Sequence, residues 1–88
     1  SAEKKASAYP NPFRPSVHRL VAFKTAAGFD NAGLEIKIYT AEGELVKKLG
    51  GLTWDGRNEY GAEVASGVYV FRVKADRDSA TGKYALLR

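Results

Sequence analysis

Residues 68–75, VYVFRVKA, alternate strictly: Tyr69, Phe71, Val73 and Ala75 fall on one side of an extended chain, and Val68, Val70, Arg72 and Lys74 on the other. Successive side chains of a strand point to opposite faces, so the stretch reads as a strand with one face buried and the other turning cationic toward its end. Ahead of it lies WDGRNEYGAEVASG, residues 54–67, which holds the only Trp and reads as a strand end followed by a long turn. Gly56, Gly61 and Gly67 mark positions where positive φ is expected, and Asp55 and Asn58 are placed to accept bonds from backbone amides of the same turn. A one-sided strand must find a facing sheet, and the remaining segments have to supply it.

They read as further short strands separated by turns. Residues 17–25 place Val17, Val21 and Phe23 on one parity and Leu20 and Ala22 on the other, leaving open which face is buried. After a turn with Asp30 and Asn31 at its tip, Leu34, Ile36 and Ile38 alternate with Glu35, Lys37 and Tyr39. Gly43 supplies the left-handed position of a hairpin, and residues 45–49 return antiparallel. LVKKL breaks the alternation there, which predicts a bulge or a crossing between sheets. A short strand over residues 52–54 delivers Trp54 to the core, and the turn DRDSATG leads into a last strand over residues 83–87. Near the start, YPNPFRP carries all three prolines and is confined to an edge, with Tyr9 and Phe13 expected to plug it and Asn11 to cap the local turn. Residues 1–8, small and charged, read as a disordered linker, so the domain is expected over residues 9–88.

About seven short strands and no segment of helical period predict an all-β fold, an immunoglobulin-like antiparallel β-sandwich. The expected core is Val21, Phe23, Leu34, Ile36, Ile38, Leu45, Trp54, Tyr69, Phe71, Val73 and Leu86. With 88 residues there is room for one core, and with no Cys neither a disulfide nor a thiolate zinc site is available. No run approaches the roughly 18 apolar residues of a membrane span, and no basic-then-apolar leader is present; a signal for export would lie upstream. The net charge of +4 raises nucleic acid, acidic polysaccharide or anionic membrane as partners. Because Lys4, Lys5, Lys47, Lys48, Arg57, Arg77, Lys83 and Arg88 scatter over several elements, the excess reads instead as a solvated surface, with no nucleic-acid partner.

Chemistry finds little to work with. His18 is the only histidine and has no carboxylate or second histidine at ligand spacing. Ser66 lacks a base. Asp30 with Asn31, Asp55 with Asn58 and Glu59, and Asp76 with Asp78 recur in turns, but none completes a calcium loop, and turn formation accounts for them. No catalytic residue, metal site or cofactor is expected. A mixed aromatic and cationic surface, suited to protein or glycan contact, arises if the strands bearing Glu35, Lys37 and Tyr39 and those bearing Val68, Val70, Arg72 and Lys74 are neighbours.

Read together, YPNPF, IKIYTAEGELVKKL, WDGRNEYGAEVASGVYVFRV and the closing GKYALLR resemble the C-terminal immunoglobulin-like modules of exported bacterial proteins. Two groups share the pattern: the immunoglobulin-like domain of the flagellar hook-capping scaffold protein, and the sorting domains that end cargo of the type IX secretion pathway. The resemblance spans residues 9–88. Pro10, Asn11, Pro12 and Phe13 match the opening motif, Ile38, Tyr39 and Gly43 the middle one, and Trp54, Asp55, Gly56, Gly61, Gly67, Val68 and Tyr69 the signature turn; Gly82, Lys83, Leu87 and Arg88 match the terminal strand. What this implies is a non-catalytic sorting and surface-attachment module of a larger secreted or cell-surface protein, recognised by export machinery. Lys83, Tyr84, Leu86, Leu87 and Arg88 would be its recognition residues, through strand addition at the edge of the last strand. The WDGRN turn and LLR ending also resemble modules retained on secreted enzymes, so the alternative is a retained structural spacer or an immunoglobulin-like module that binds a protein or a glycan, a role of the flagellar hook-cap scaffold type included.

Overall fold

Seven strands, with no helix among the described residues, make up the chain in a computed structural model that describes residues 4–26 and 28–88. They are β1 Lys4–Tyr9, β2 Val21–Thr25, β3 Glu35–Thr40, β4 Leu45–Leu49, β5 Thr53–Trp54, β6 Gly67–Lys74 and β7 Ser79–Leu86. One sheet runs β4-β3-β6-β7 with every neighbour antiparallel, and β1, β2 and β5 form the other. The sheets face each other as an immunoglobulin-like β-sandwich, the architecture the alternation predicts. They are also stitched together, because β1 pairs antiparallel with β2 from Ala6↔Thr25 to Tyr9↔Ala22 while its start runs parallel to β7 at Lys4↔Ala80 and Lys5↔Thr81.

The core lies between the inward parities. Phe23 and Trp54 from the smaller sheet meet Tyr69, Phe71 and Tyr84 from the larger one, with ring centroids at 4.6 Å for Phe23 and Phe71 and 6.0 Å for Trp54 against both tyrosines. Tilted and edge-on contacts of this kind add about 0.5–1.5 kcal/mol each to the area they bury. Val21, Ile36, Ile38, Val73 and Leu86 close the remaining space, all of them fully buried.

Several expectations need correction. Leu45 is 47% exposed and Val46 takes its place in the core, because the β3–β4 register shifts between Ile38 and Tyr39; the extra residue reverses the parity of the strand. Leu34 only packs against the core's margin. The proposed linker contains β1, whose Ala6 and Ala8 are small enough to lie against the core; Ser1 to Glu3 of that expectation fall outside the described residues. Tyr9 does not plug the edge, being 72% exposed, whereas Phe13 is fully buried. β2 begins only at Val21, since Arg14 O accepts the amides of Val17 and His18 and holds that segment in a turn. β7 starts four residues earlier than residue 83, the turn before it being closed by Ala75 N–H donating to Asp78 O. Gly56, Gly61 and Gly43 have positive φ; Gly67 does not, and simply opens β6.

Candidate functional site

The last strand and the residues that hold it form the candidate site. Tyr84 and Leu86 point inward, 2% and 0% exposed, so as recognition residues they are withdrawn: a side chain packed among Trp54, Phe71 and Tyr69 offers a partner nothing. Lys83, Leu87 and Arg88 remain at the surface.

Neither side of β7 is an open edge. On one side β6 pairs with it along its whole length, from Lys74↔Ser79 to Gly67↔Leu86. On the other, β1 takes Ala80 and Thr81, and the proline-bracketed segment takes the end: Phe13 N–H donates to Ala85 O (2.7 Å), Leu87 N–H donates to Phe13 O (2.9 Å), and Asn11 Oδ1 accepts Ala85 N–H (3.1 Å). Asn11 therefore caps the terminal strand and not its own turn. Addition of a foreign strand along β7 would have to break these bonds, so the expected edge pairing is not available in the folded domain; the sandwich's outer strands are β4 and β5.

The signature turn receives Arg88. Asp55 Oδ1 accepts the amide of Arg57, Asn58 Oδ1 accepts those of Tyr60 and Ala62, and Trp54 Nε1 donates to Arg57 O at 2.8 Å, so the loop is bonded to itself and to the core indole. Into it reaches Arg88, whose Nε donates to Val64 O, whose Nη2 donates to Gly56 O at 3.1 Å, and whose backbone amide donates to Ser66 Oγ at 2.8 Å. Nη1 lies 3.5 Å from Glu63 Oε2. Gly56 sits beneath this fork with φ 84°, and a Cβ there would already touch the ring of Phe13 at 3.4 Å. The opening motif, the WDG turn and the LLR ending thus converge on one junction. Ser66, which the sequence offers only as a nucleophile without a base, is a capping acceptor here.

The remaining candidates do structural work. His18 Nδ1 accepts the Arg14 amide at 3.2 Å and its ring stacks on Phe13. Asp78 Oδ2 accepts Asp30 N–H at 2.7 Å and Asp30 Oδ1 accepts Ala32 N–H, so the aspartates at that end lock turns; among the described residues no three His, Asp or Glu side chains cluster to hold a metal. Burial raises the Tyr84 pKa, with neighbouring Tyr69 adding to it. Burial also raises that of Tyr69, where Arg88 opposes and Glu42 reinforces the shift.

No curated protein matches the sequence. Among solved structures, the chain is similar to PorZ, described as an essential bacterial surface component of the type-IX secretion system of Porphyromonas gingivalis, at 31% identity and a TM-score of 0.71 over 94% of this chain. That match covers 11% of the PorZ chain, so the domain corresponds to a small part of it. CopC from Methylosinus trichosporium OB3b shares 27% identity, with a TM-score of 0.51, over 96% of this chain and 91% of its own. Residues 7–86 match the family described as the secretion system C-terminal sorting domain, which decides between the two groups the sequence resembles. The chain belongs to that family, and is a type IX secretion sorting signal of a bacterial protein destined for the cell surface or the medium.

Proposed function

We propose that the domain acts as a non-catalytic sorting and surface-attachment module, read by proteins of the export machinery as a folded sandwich. The observation that carries this is the family match over residues 7–86, nearly the whole chain. The paired edges of β7 favour recognition of the outer surface, with Lys83, Leu87 and Arg88 contributing at one end, over recognition of an extended tail.

Removing residues 83–88 is a poor test, since it also removes Tyr84 and Leu86 from the core. The better one fuses residues 1–88 to the C-terminus of a secretable reporter in a bacterium with a type IX pathway. Export of the reporter with the domain, and not without it, is the expected result. A reporter that stays inside although the domain is folded overturns the reading. Intact mass of the exported reporter then tells removal of the domain from its retention.

A further inference from the structure

The bulge that turns Leu45 out of the core also leaves that side chain on a groove beside β4, the outer strand of the larger sheet. The groove measures about 430 Å³ and is lined by Leu45 and Val46 of the strand, by Glu59 and Tyr60 of the signature loop, and by Val64 and Tyr69. That volume falls within the range of about 300–1,000 Å³ at which clefts take ligands. Its two walls are held in place. Glu59 Oε1 accepts the Lys48 amide at 2.8 Å and ties the loop to the strand, and Tyr60 N–H donates to Asn58 Oδ1 at 2.9 Å. The Tyr60 ring is 94% exposed, so the core does not account for an aromatic residue there.

The charge of the walls selects the occupant. Glu44 and Glu59 line the groove and no Lys or Arg does, although the chain as a whole carries +4. The Glu59 bond is to an uncharged amide and leaves the carboxylate its charge, while the ion pairs of Lys37, Arg57 and Arg88 are made with Glu35 and Glu63. Aliphatic walls, an exposed phenol ring and two carboxylates suit a lysine or arginine side chain, whose stem lies on Leu45 and whose cation meets a carboxylate or the face of Tyr60. A neutral glycan leaves both carboxylates unmatched, and an anionic glycan or lipid is repelled by them. Position selects the source. The groove lies where Tyr69 pairs with Thr40, whereas Lys4 pairs with Ala80 beside Val73, about 13 Å away along β6. Whatever precedes residue 4 therefore joins the sandwich at the other end, and the groove faces away from it.

We propose that this groove holds an extended, lysine- or arginine-bearing segment of an export-machinery protein; the inference rests on the sorting reading above. The test uses the reporter fusion with a photo-crosslinking phenylalanine derivative at position 60, or at position 9 as a control, since Tyr9 is also exposed but belongs to the other sheet. An adduct is expected from position 60 and not from 9, and peptide mapping should place it on a segment of a pathway component that carries Lys or Arg. Glu44→Gln and Glu59→Gln together remove the charge while leaving an oxygen to accept the Lys48 amide, and should lower both adduct and export at least fivefold. Glu35→Gln, which removes a carboxylate elsewhere, should lower neither. Should the double variant fail to fold by circular dichroism, Glu44→Gln alone should show the same loss in smaller measure. No adduct at position 60, an adduct with lipid, polysaccharide, the reporter or a segment without Lys or Arg, or undiminished export of a folded glutamine variant overturns the inference while leaving the sorting reading intact. Failure of the unaltered fusion to leave the cell overturns both.

Discussion

Tyr84 places a phenol hydroxyl where nothing receives it: the ring is surrounded by Phe23, Trp54, Tyr69 and Phe71, and Oη is buried without a hydrogen-bond partner. A buried unsatisfied hydroxyl costs about 1–3 kcal/mol. Tyr84→Phe keeps the ring contacts and removes that cost, so it should stabilise the domain by about 1 kcal/mol, seen as a rise of roughly 4–8 °C in Tm. The pH dependence follows from the same burial. An unfolded tyrosine ionises near pH 10, while the folded Tyr84 keeps its proton beyond that, so stability is complete below about pH 10 and falls as pH rises above it, by up to ~1.4 kcal/mol per unit for one such group. Tyr69 acts in the same direction, and Tyr84→Phe should shallow the alkaline decline without abolishing it. A contrast between glycines is available at the same scale. A Cβ on Gly82 would stand 2.5 Å from Phe71 Cζ and 2.6 Å from Ala6 O, so Gly82→Ala should cost about 1–3 kcal/mol in urea denaturation. Gly67→Ala, with open space around it and no positive φ, should cost far less.

Among the elements, β1 and the Arg88 junction make the separable claims. If β1 were a passive leader, removing residues 1–8 would leave the urea midpoint unchanged; because it joins both sheets and covers the start of β7, a loss of about 2 kcal/mol is expected instead. Arg88→Ala should free the 56–66 loop, read as faster hydrogen exchange at Val64, whose amide bonds to Gly56 O, with the exchange of Phe71 and Ile38 unchanged. These two elements also show where the sequence is readable and where it is not. β3 and β6 were legible because their burial follows a strict period of two. β1 was not, because Lys4 to Ala8 has no apolar alternation and owes its strand to neighbours that pair with it, a tertiary effect. The end of β7 was half legible: Ala80, Gly82, Tyr84 and Leu86 share one parity, a signal obscured because Thr81 and Gly82 look like turn residues. The junction itself joins residues 11–13, 56–66 and 85–88, and no local pattern could declare that Asn11 or Ser66 serves the terminal strand.

At the scale of the whole molecule, two layers with no disulfide between them hold one highly charged outer face, and the charges on it oppose the pairing of the strands that carry them. Lys48, Lys37 and Arg72 stand opposite one another on β4, β3 and β6. Stability should therefore rise with ionic strength: salt shortens the range of repulsion from about 30 Å at 0.01 M to about 8 Å at 0.15 M, which spares buried contacts but weakens exposed like-charge rows. Lys48 stands at the end of the row, opposite Lys37, and its amide rather than its ammonium is held by Glu59. Lys48→Thr removes one cation, keeps the backbone bond and suits a strand, so at low salt it should stabilise the domain by a few tenths of a kcal/mol and flatten the salt dependence of Tm. Melting curves of both proteins across a sodium chloride series decide the matter. A wild-type Tm that is flat or falls with salt would mean that the row carries no appreciable repulsion.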